Sequence, residues 1–411
     1  MLQWGYAQKI GSFIMRRVTK RYLHLKPTQK SLPMASDTRP RLLYIHIPFC
    51  LTLCPYCSFH KFRFHEPSAI NYFELLHKEM KMVHALGYKF DSIYFGGGTT
   101  TILPQELGET ISLAKSLFEI KEVSCESDPA HLIDLEHEYL SGKIDRLSIG
   151  IQSFNDDYLK QIGRYKKFGS AQEQYEKALR ALPHFPIVNI DMIYNYPKQT
   201  EEELRNDIEM VLKLSPQQVT FYPLMYAPGI KEKLSKKWGT LSNDTEAKLY
   251  SLILEMMSKK YTQRSSWAWS LRSDDIIDEY VIERSEYVGI GSGAFSFIGD
   301  TLYANTFSLP TYAKMISDEA LPITHSVSFP KRAISQYRMM VELFGLKPIS
   351  KHLSLENFFL KLFGVYEDGK ITPKGSYLFS VMMREFYNGM DYVRETMRNK
   401  LSKEDGFISK D

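Results

Sequence analysis

The sequence predicts an α/β protein: a partial (β/α)6 barrel followed by a small, mostly helical C-terminal appendage. Two observations carry that expectation. Between residues 41 and 260, short β-branched runs alternate with amphipathic segments of helical period. The residues able to do chemistry fall near the carboxyl ends of those short runs, where the loops of parallel βα units converge.

Taken in order, residues 42–47 read as the first strand, an apolar run that feeds a cysteine-rich loop. Residues 67–86 follow as an amphipathic helix that stops near Gly87, a usual helix terminator. A second strand over 92–95 runs into the glycines 96–98. A helix at 104–118, a strand at 122–127, a helix at 132–140 and a strand at 145–151 come next. Helix 170–182 leads to strand 187–194, helix 201–214 to strand 218–222, and residues 244–259 close the series as a long helix. Right-handed crossovers would curl six such strands into a barrel or part of one. The remainder divides into a basic N-terminal arm (1–40), a strand-and-loop extension (261–329) and a helical domain (330–411) around a core of 41–260.

A chain of 411 residues exceeds what one hydrophobic core usually organises. Its charge is modest overall, at +4, and predicts no nucleic-acid partner. The charge is uneven, however: residues 1–40 carry eight Lys or Arg against the single acid Asp37. The apolar centre of that arm, residues 12–15, is too short to span a membrane, and no run of 18 apolar residues occurs anywhere. The arm reads as a peripheral helix and linker; a basic amphipathic segment of this kind can also touch a membrane surface or an acidic redox partner. The expectation is a soluble protein in a reducing, cytoplasmic compartment.

Three of the four cysteines, Cys50, Cys54 and Cys57, fall at the spacing C-x3-C-x2-C. Three thiolates this close can wrap one soft-metal centre and leave a fourth position open. A structural zinc site would need a further ligand, for which His46 and His60 lie nearby. A disulfide framework fits poorly, because three cysteines do not pair evenly. Cys125, the fourth, reads as a small core residue on the strand face opposite Glu126.

Gly96-Gly97-Gly98-Thr99 lacks the spacing of a dinucleotide fingerprint and the Lys of a P-loop. Glycine lets a ligand lie against the backbone, or simply makes a turn. Glu126 at a strand end is by itself an ordinary salt-bridge partner. Gln152 offers a donor and an acceptor together, and Arg164, twelve residues on, offers a fork for a carboxylate. Trp267 and Trp269 can stack a flat ligand or simply pack.

Together the triplet and its Tyr44-to-Cys50 flank resemble the radical S-adenosylmethionine (SAM) superfamily. The branch they look like contains the oxygen-independent coproporphyrinogen III oxidases, the heme chaperones and the tetrapyrrole-modifying methyltransferases. The resemblance implies a [4Fe-4S] cluster on Cys50, Cys54 and Cys57 with one open iron, and SAM bound to that iron. It implies cofactor-binding roles for Gly97, Gly98 and Thr99 from the GGE-type motif, and for Glu126, Gln152, Arg164 and Asp191. Tyr44, Tyr56 and Met225 are counted with them, and no catalytic residue is assigned. Reductive cleavage of SAM would generate a 5′-deoxyadenosyl radical. The substrate implied is a tetrapyrrole, with coproporphyrinogen III propionates decarboxylated to vinyls, and the electron donor a reductase or a flavodoxin- or ferredoxin-type protein. The alternatives are a heme chaperone and a SAM-dependent methyltransferase.

Three positions depart from the branch. Phe59 stands where the oxidases carry a further cysteine, Asn195 replaces a glycine in the segment after Asp191, and the chaperones' His-Asn-x-x-Tyr-type motif is absent. Beyond residue 260, the glycine-rich stretch 287–293 and the Thr372-to-Gly375 segment also resemble the branch.

Overall fold

The computed structural model describes residues 5–132, 139–226, 228–272, 284–348 and 354–401. Six strands follow one another in chain order and pair in parallel: β1 (Pro40–Ile47), β2 (Lys89–Gly97), β3 (Glu122–Ser127), β4 (Arg146–Gln152), β5 (Ile187–Tyr194) and β6 (Gln218–Pro223). Their order in the sheet is their order in the sequence, as successive βα units require.

A seventh parallel strand, β7 (Tyr287–Ile290), pairs with β1 on its free side, so the parallel sheet is one strand larger than the sequence predicts. From β7 the sheet continues antiparallel through β8 (Phe295–Ile298), β9 (Thr301–Asn305) and β10 (Ile323–Ser328). On the other side, Ala268–Ser270 adds antiparallel to β6. The expected helix at 132–140 falls largely outside the described residues.

Period-2 alternation decides what each face holds. On β4 and β5 the residues Leu147, Ile149, Ile151, Val188, Ile190 and Met192 turn outward into the main hydrophobic core, all at most 1% exposed. The helices α2 (Glu66–Ala85), α3 (Pro104–Leu117), α4 (Ala171–Ala181) and α5 (Glu201–Leu214) supply the facing layer through Phe73, Leu76, Ile111, Ala178 and Ile208. Their starts are encoded locally. Ser170 with Glu173 and Thr200 with Glu203 form reciprocal capping boxes. The inner residues of these strands and of β6 are polar: Ser148, Asn189, Asp191 and Thr220 make one hydrogen-bonded network. A buried polar face is stable only when its members are satisfied, and here each finds a partner at 2.8–3.1 Å.

The last helix, α9 (Pro373–Arg398), is the long element of the C-terminal part. Thr372 caps it, its Oγ1 accepting from Gly375 N–H at 3.0 Å with Pro373 in the first turn, so the segment from Thr372 to Gly375 is a helix-start signal. The N-terminal segment forms α1 (Gly5–Tyr22), which lies along α9. The two approach closely because Gly11 and Gly389 carry no side chain; a Cβ at either would come within 2.8 Å of the other helix. Ser12 Oγ donates to Glu385 Oε1 at 2.8 Å, and Glu385 in turn meets Arg384, which pairs with the buried Glu246 of α6 (Asn243–Met257).

One buried carboxyl ties α2 to the extension. Glu79, 1% exposed, accepts from Gly291 N–H, Tyr312 Oη and Asn305 Nδ2 at 2.7–3.0 Å. Burial pushes its pKa up to about 7 despite those three donors. A carboxyl raised in the folded state favours folding while protonated, so its contribution is present below the usual carboxylate range and is lost as pH rises through about 7. Glu79→Ala is expected to cost about 1–3 kcal/mol below pH 5, because three donors lose their acceptor. Thermal melts against pH check this: the wild-type Tm falls between pH 5 and 7 more steeply than that of the variant.

Candidate functional site

The carboxyl ends of the strands open into one cavity of about 890 Å³. All three cysteines of the triplet line it. So do Tyr44, Tyr56, Gly97, Gly98, Thr99, Glu126, Gln152, Arg164, Asp191 and Met225, so every position given a cluster or cofactor role by the resemblance faces the same space.

The cysteine loop is held at its base. Phe49–Cys50 pairs in parallel with Phe62–Arg63, and the N–H groups of Phe62 and Phe64 bond back to Pro48 and Cys50 carbonyls at 2.6 and 2.9 Å. Inside the loop, Cys57 N–H turns onto Cys54 O at 3.3 Å, and Lys61 Nζ donates to the carbonyls of Cys57 (2.9 Å) and Cys54 (3.4 Å). Burial raises the Cys50 thiol to about 11. At Cys57 burial also opposes ionisation, but the Lys61 ammonium and the Phe59 N–H outweigh it and hold the thiol below its usual range.

All four cysteines are free thiols, in line with the poor fit of a disulfide framework. Cys125 is fully buried in the outer core and bonded to Thr100 Oγ1 at 2.9 Å, on the face away from Glu126.

Three soft donors on a loop ringed by Lys61, Lys167 and backbone N–H groups match the chemistry of an iron–sulfur ligand set, whose thiolates need charge compensation. Among the described residues no group of three His, Cys, Asp or Glu is drawn together tightly enough for a single ion, so the fit rests on donor chemistry. His46 is engaged elsewhere. Its Nε2–H donates to His60 O and its Nδ1 accepts from Tyr44 Oη, both at 2.9 Å, and burial lowers its pKa to about 4. The neutral ring therefore has no free nitrogen with which to close a zinc site.

The glycine motif has a steric reason of its own. Gly97 lies at φ +123°, and a Cβ there would strike the His46 ring at 2.6 Å; a Cβ at Gly98 would sit 2.4 Å from Phe49 O. The bare backbone lets β2 pass under the cysteine loop, with Gly98 N–H donating to Ile47 O and Thr99 N–H to Phe49 O. Gly98→Ala is accordingly expected to push the Cys50 segment aside and to lower iron uptake on anaerobic reconstitution, measured as iron per chain.

Glu126 reaches in from the end of β3. Its Oε1 accepts from Tyr94 Oη at 2.9 Å and its Oε2 from Gly97 N–H at 3.2 Å. Gln152 sits at φ +78°, where the β4–β5 register slips by one residue. Left-handed backbone in a side-chain-bearing residue is strained and tends to mark places where surrounding structure imposes it. Arg164 supplies part of that constraint. Its Nη2 donates to Gly150 O, its guanidinium lies 4.3 Å from the Phe168 ring centroid, and its buried Nε has no partner among the described residues. The guanidinium lines the cavity, where its planar fork suits a carboxylate.

Asn195 also adopts a left-handed conformation, φ +64°, the geometry a glycine would take. Its side chain turns away to Glu246 Oε2 (3.1 Å), so the substitution leaves the cavity wall unobstructed.

Two cavity residues, Asp128 and Arg394, were given no role of their own by the sequence. Asp128 binds Thr99 Oγ1 at 3.0 Å and faces Lys167 at 3.8 Å. Arg394, from the last turns of α9, lies over the rings of Phe59 (5.1 Å) and Phe295 (5.9 Å) and pairs with Asp391 at 2.6 Å. Arg398, one turn on, donates to Phe59 O at 3.2 Å. Trp267 lines the cavity against Tyr222 and Phe344, whereas Trp269 packs in the core. The Asp391–Arg394 spacing of three residues marks a helix pair, but nothing in it says what the pair faces.

Residues 44–211 match the family model of the radical SAM superfamily. The chain is 29% identical over 293 residues to the heme chaperone HemW of Lactococcus lactis, covering 68% of this chain and 76% of that one. It is 26% identical over 330 residues to the oxygen-independent coproporphyrinogen III oxidase of Helicobacter pylori, covering 74% and 72%. The solved structure of the coproporphyrinogen III oxidase HemN from Escherichia coli superposes with a TM-score of 0.67 at 20% identity, over 90% of this chain and 92% of the other, a likeness of fold.

Proposed function

We propose that this chain, a radical SAM protein of the branch shared by the coproporphyrinogen oxidases and the heme chaperones, acts on a tetrapyrrole. In this reading Cys50, Cys54 and Cys57 hold a [4Fe-4S] cluster with one iron open to SAM, and the activity is oxidase-like decarboxylation of coproporphyrinogen III propionates. A single observation carries it. The cysteine loop, the polar strand ends and a wide aromatic chamber between Trp267, Tyr337, Phe379 and Tyr387 are one continuous space.

Cluster and SAM together supply a one-electron cleavage that yields a hydrogen-abstracting radical. The chain's own residues bind, orient and exclude water. Glu126, at the mouth of the glycine turn, is placed to accept from a cationic amino group. Arg164 is placed to donate to a carboxylate. The ring-lined chamber keeps water from the reacting carbon and stacks a flat macrocycle. Arg394, held between two rings, presents a cation to a propionate.

A second reading, a heme chaperone, has its own support. Phe59 occupies the position of the oxidases' further cysteine and lines the cavity, clasped by Arg394 and Arg398. The chaperones are also as similar to this chain as the oxidases are. Anaerobic turnover with coproporphyrinogen III and a flavodoxin-type reductant separates the two. Carbon dioxide release with 5′-deoxyadenosine supports the oxidase; stoichiometric heme binding with a Soret shift and no carbon dioxide supports the chaperone.

A further inference from the structure

Large apolar side chains stand exposed on two helices in particular. On α1 these are Ile10, Phe13 and Ile14, 46–56% exposed. On α8 (Ser354–Leu362) and the residue after it they are Leu355, Phe358, Phe359, Leu362 and Phe363, 44–63% exposed. Together these eight are more than half of the exposed large apolar residues among those described. Such clustering is unusual for a surface that only faces water.

The two helices meet at the cavity. Ile10, Ile14, Phe359 and Phe363 line it while remaining half exposed, which puts them on its rim. The fold does not need these side chains for its own packing. The inward face of α1 is already engaged through Gly11, Ser12, Met15 and Thr19, and Lys374 Nζ and the Val365 carbonyl bind the end of α8 to the start of α9.

The charge on α1 selects the partner. Its outward face carries Lys9, Arg16, Arg17, Lys20 and Arg21, all exposed, and residues 5–22 contain no Asp or Glu. Arg17 lies over the Phe13 ring at 5.4 Å, so cation and apolar groups share one surface. Protein–protein interfaces are depleted of Lys, whereas this face carries two exposed lysines, Lys9 and Lys20. Apolar side chains interleaved with exposed cations, of which only Arg16 lies near a described carboxylate, Glu385 at 3.9 Å, complement anionic headgroups above an acyl layer. No described helix is long and apolar enough to cross a membrane, so contact would be peripheral.

We propose that the α1–α8 rim docks the cavity mouth on an anionic lipid bilayer, so that an apolar ligand passes between cavity and membrane without crossing water. The docking surface stands on exposure and charge, independent of which tetrapyrrole the cavity takes.

Flotation of the full-length, anaerobically reconstituted protein with vesicles tests this without ligand or turnover. One set is phosphatidylcholine alone; the other is an equal mixture of phosphatidylcholine and phosphatidylglycerol. Expected is flotation with the mixed vesicles only, weakened by salt. Lys20→Glu with Arg21→Glu should weaken it at least about five-fold per cation. Phe358→Ser with Leu362→Ser should abolish it; these are the two most exposed of the eight patch positions, so the variant's circular dichroism and iron content should match wild type. Failure to float, equal flotation with both vesicle sets, or an oligomer that falls apart in the Phe358/Leu362 variant would each overturn the proposal, the last by making the patch an interface between copies.

Discussion

Cys54→Ala is expected to lose the iron–sulfur absorbance and with it all reductive cleavage of SAM, while the chain still folds. The side chain lines the cavity and is only partly buried, so its removal leaves no large void in the core. The loop around it is secured independently, by the Phe49–Phe62 pairing and the Lys61 bonds to backbone carbonyls. What the substitution removes is one of three thiolates, and a cubane held by two protein ligands is not retained. Iron content and 5′-deoxyadenosine formation under dithionite measure the outcome. Production of 5′-deoxyadenosine at the wild-type rate would show that Cys54 is not a ligand.

Glu126→Ala is expected to separate SAM binding from cluster assembly. The carboxylate accepts from Tyr94 and Gly97 at the end of β3, away from the backbone bonds that secure the cysteine loop, so iron content and visible spectrum should match wild type. SAM affinity should fall about 10- to 100-fold, the range for a hydrogen bond to a charged group. Glu126→Gln, which keeps one acceptor oxygen but removes the charge, should fall between. Equilibrium dialysis with the reconstituted protein gives the comparison, and an unchanged affinity in the alanine variant would remove Glu126 from the SAM site.

The core of this fold is legible in the chain because local signals agree with the global arrangement. The expected strand at 187–194 coincides with β5, and the expected helix at 201–214 coincides with α5, where Thr200 and Glu203 form a capping box. The candidate positions converge because they lie in the carboxyl halves of parallel strands or in the segments that follow them. What stayed hidden has physical reasons. β7 is four residues long and joins β1 from more than two hundred residues away, and no period in a short apolar run identifies so distant a neighbour. The glycines of β2 invite a ligand-based account, yet His46 and the Phe49 carbonyl occupy the space a side chain would need. Arg394 belongs to an ordinary amphipathic helix until that helix is laid over Phe59. Asn195 looks like a departure in one dimension and keeps the glycine's backbone conformation in three. The N-terminal arm reads as basic and peripheral, and only its packing on α9 reveals which of its faces is left to solvent.

Metal and sulfide analysis of protein purified without oxygen bears most directly on the whole reading. About four irons and four sulfides per chain, with zinc absent, is the result that three thiolates and a vacant iron corner predict. Stoichiometric zinc without iron would contradict it.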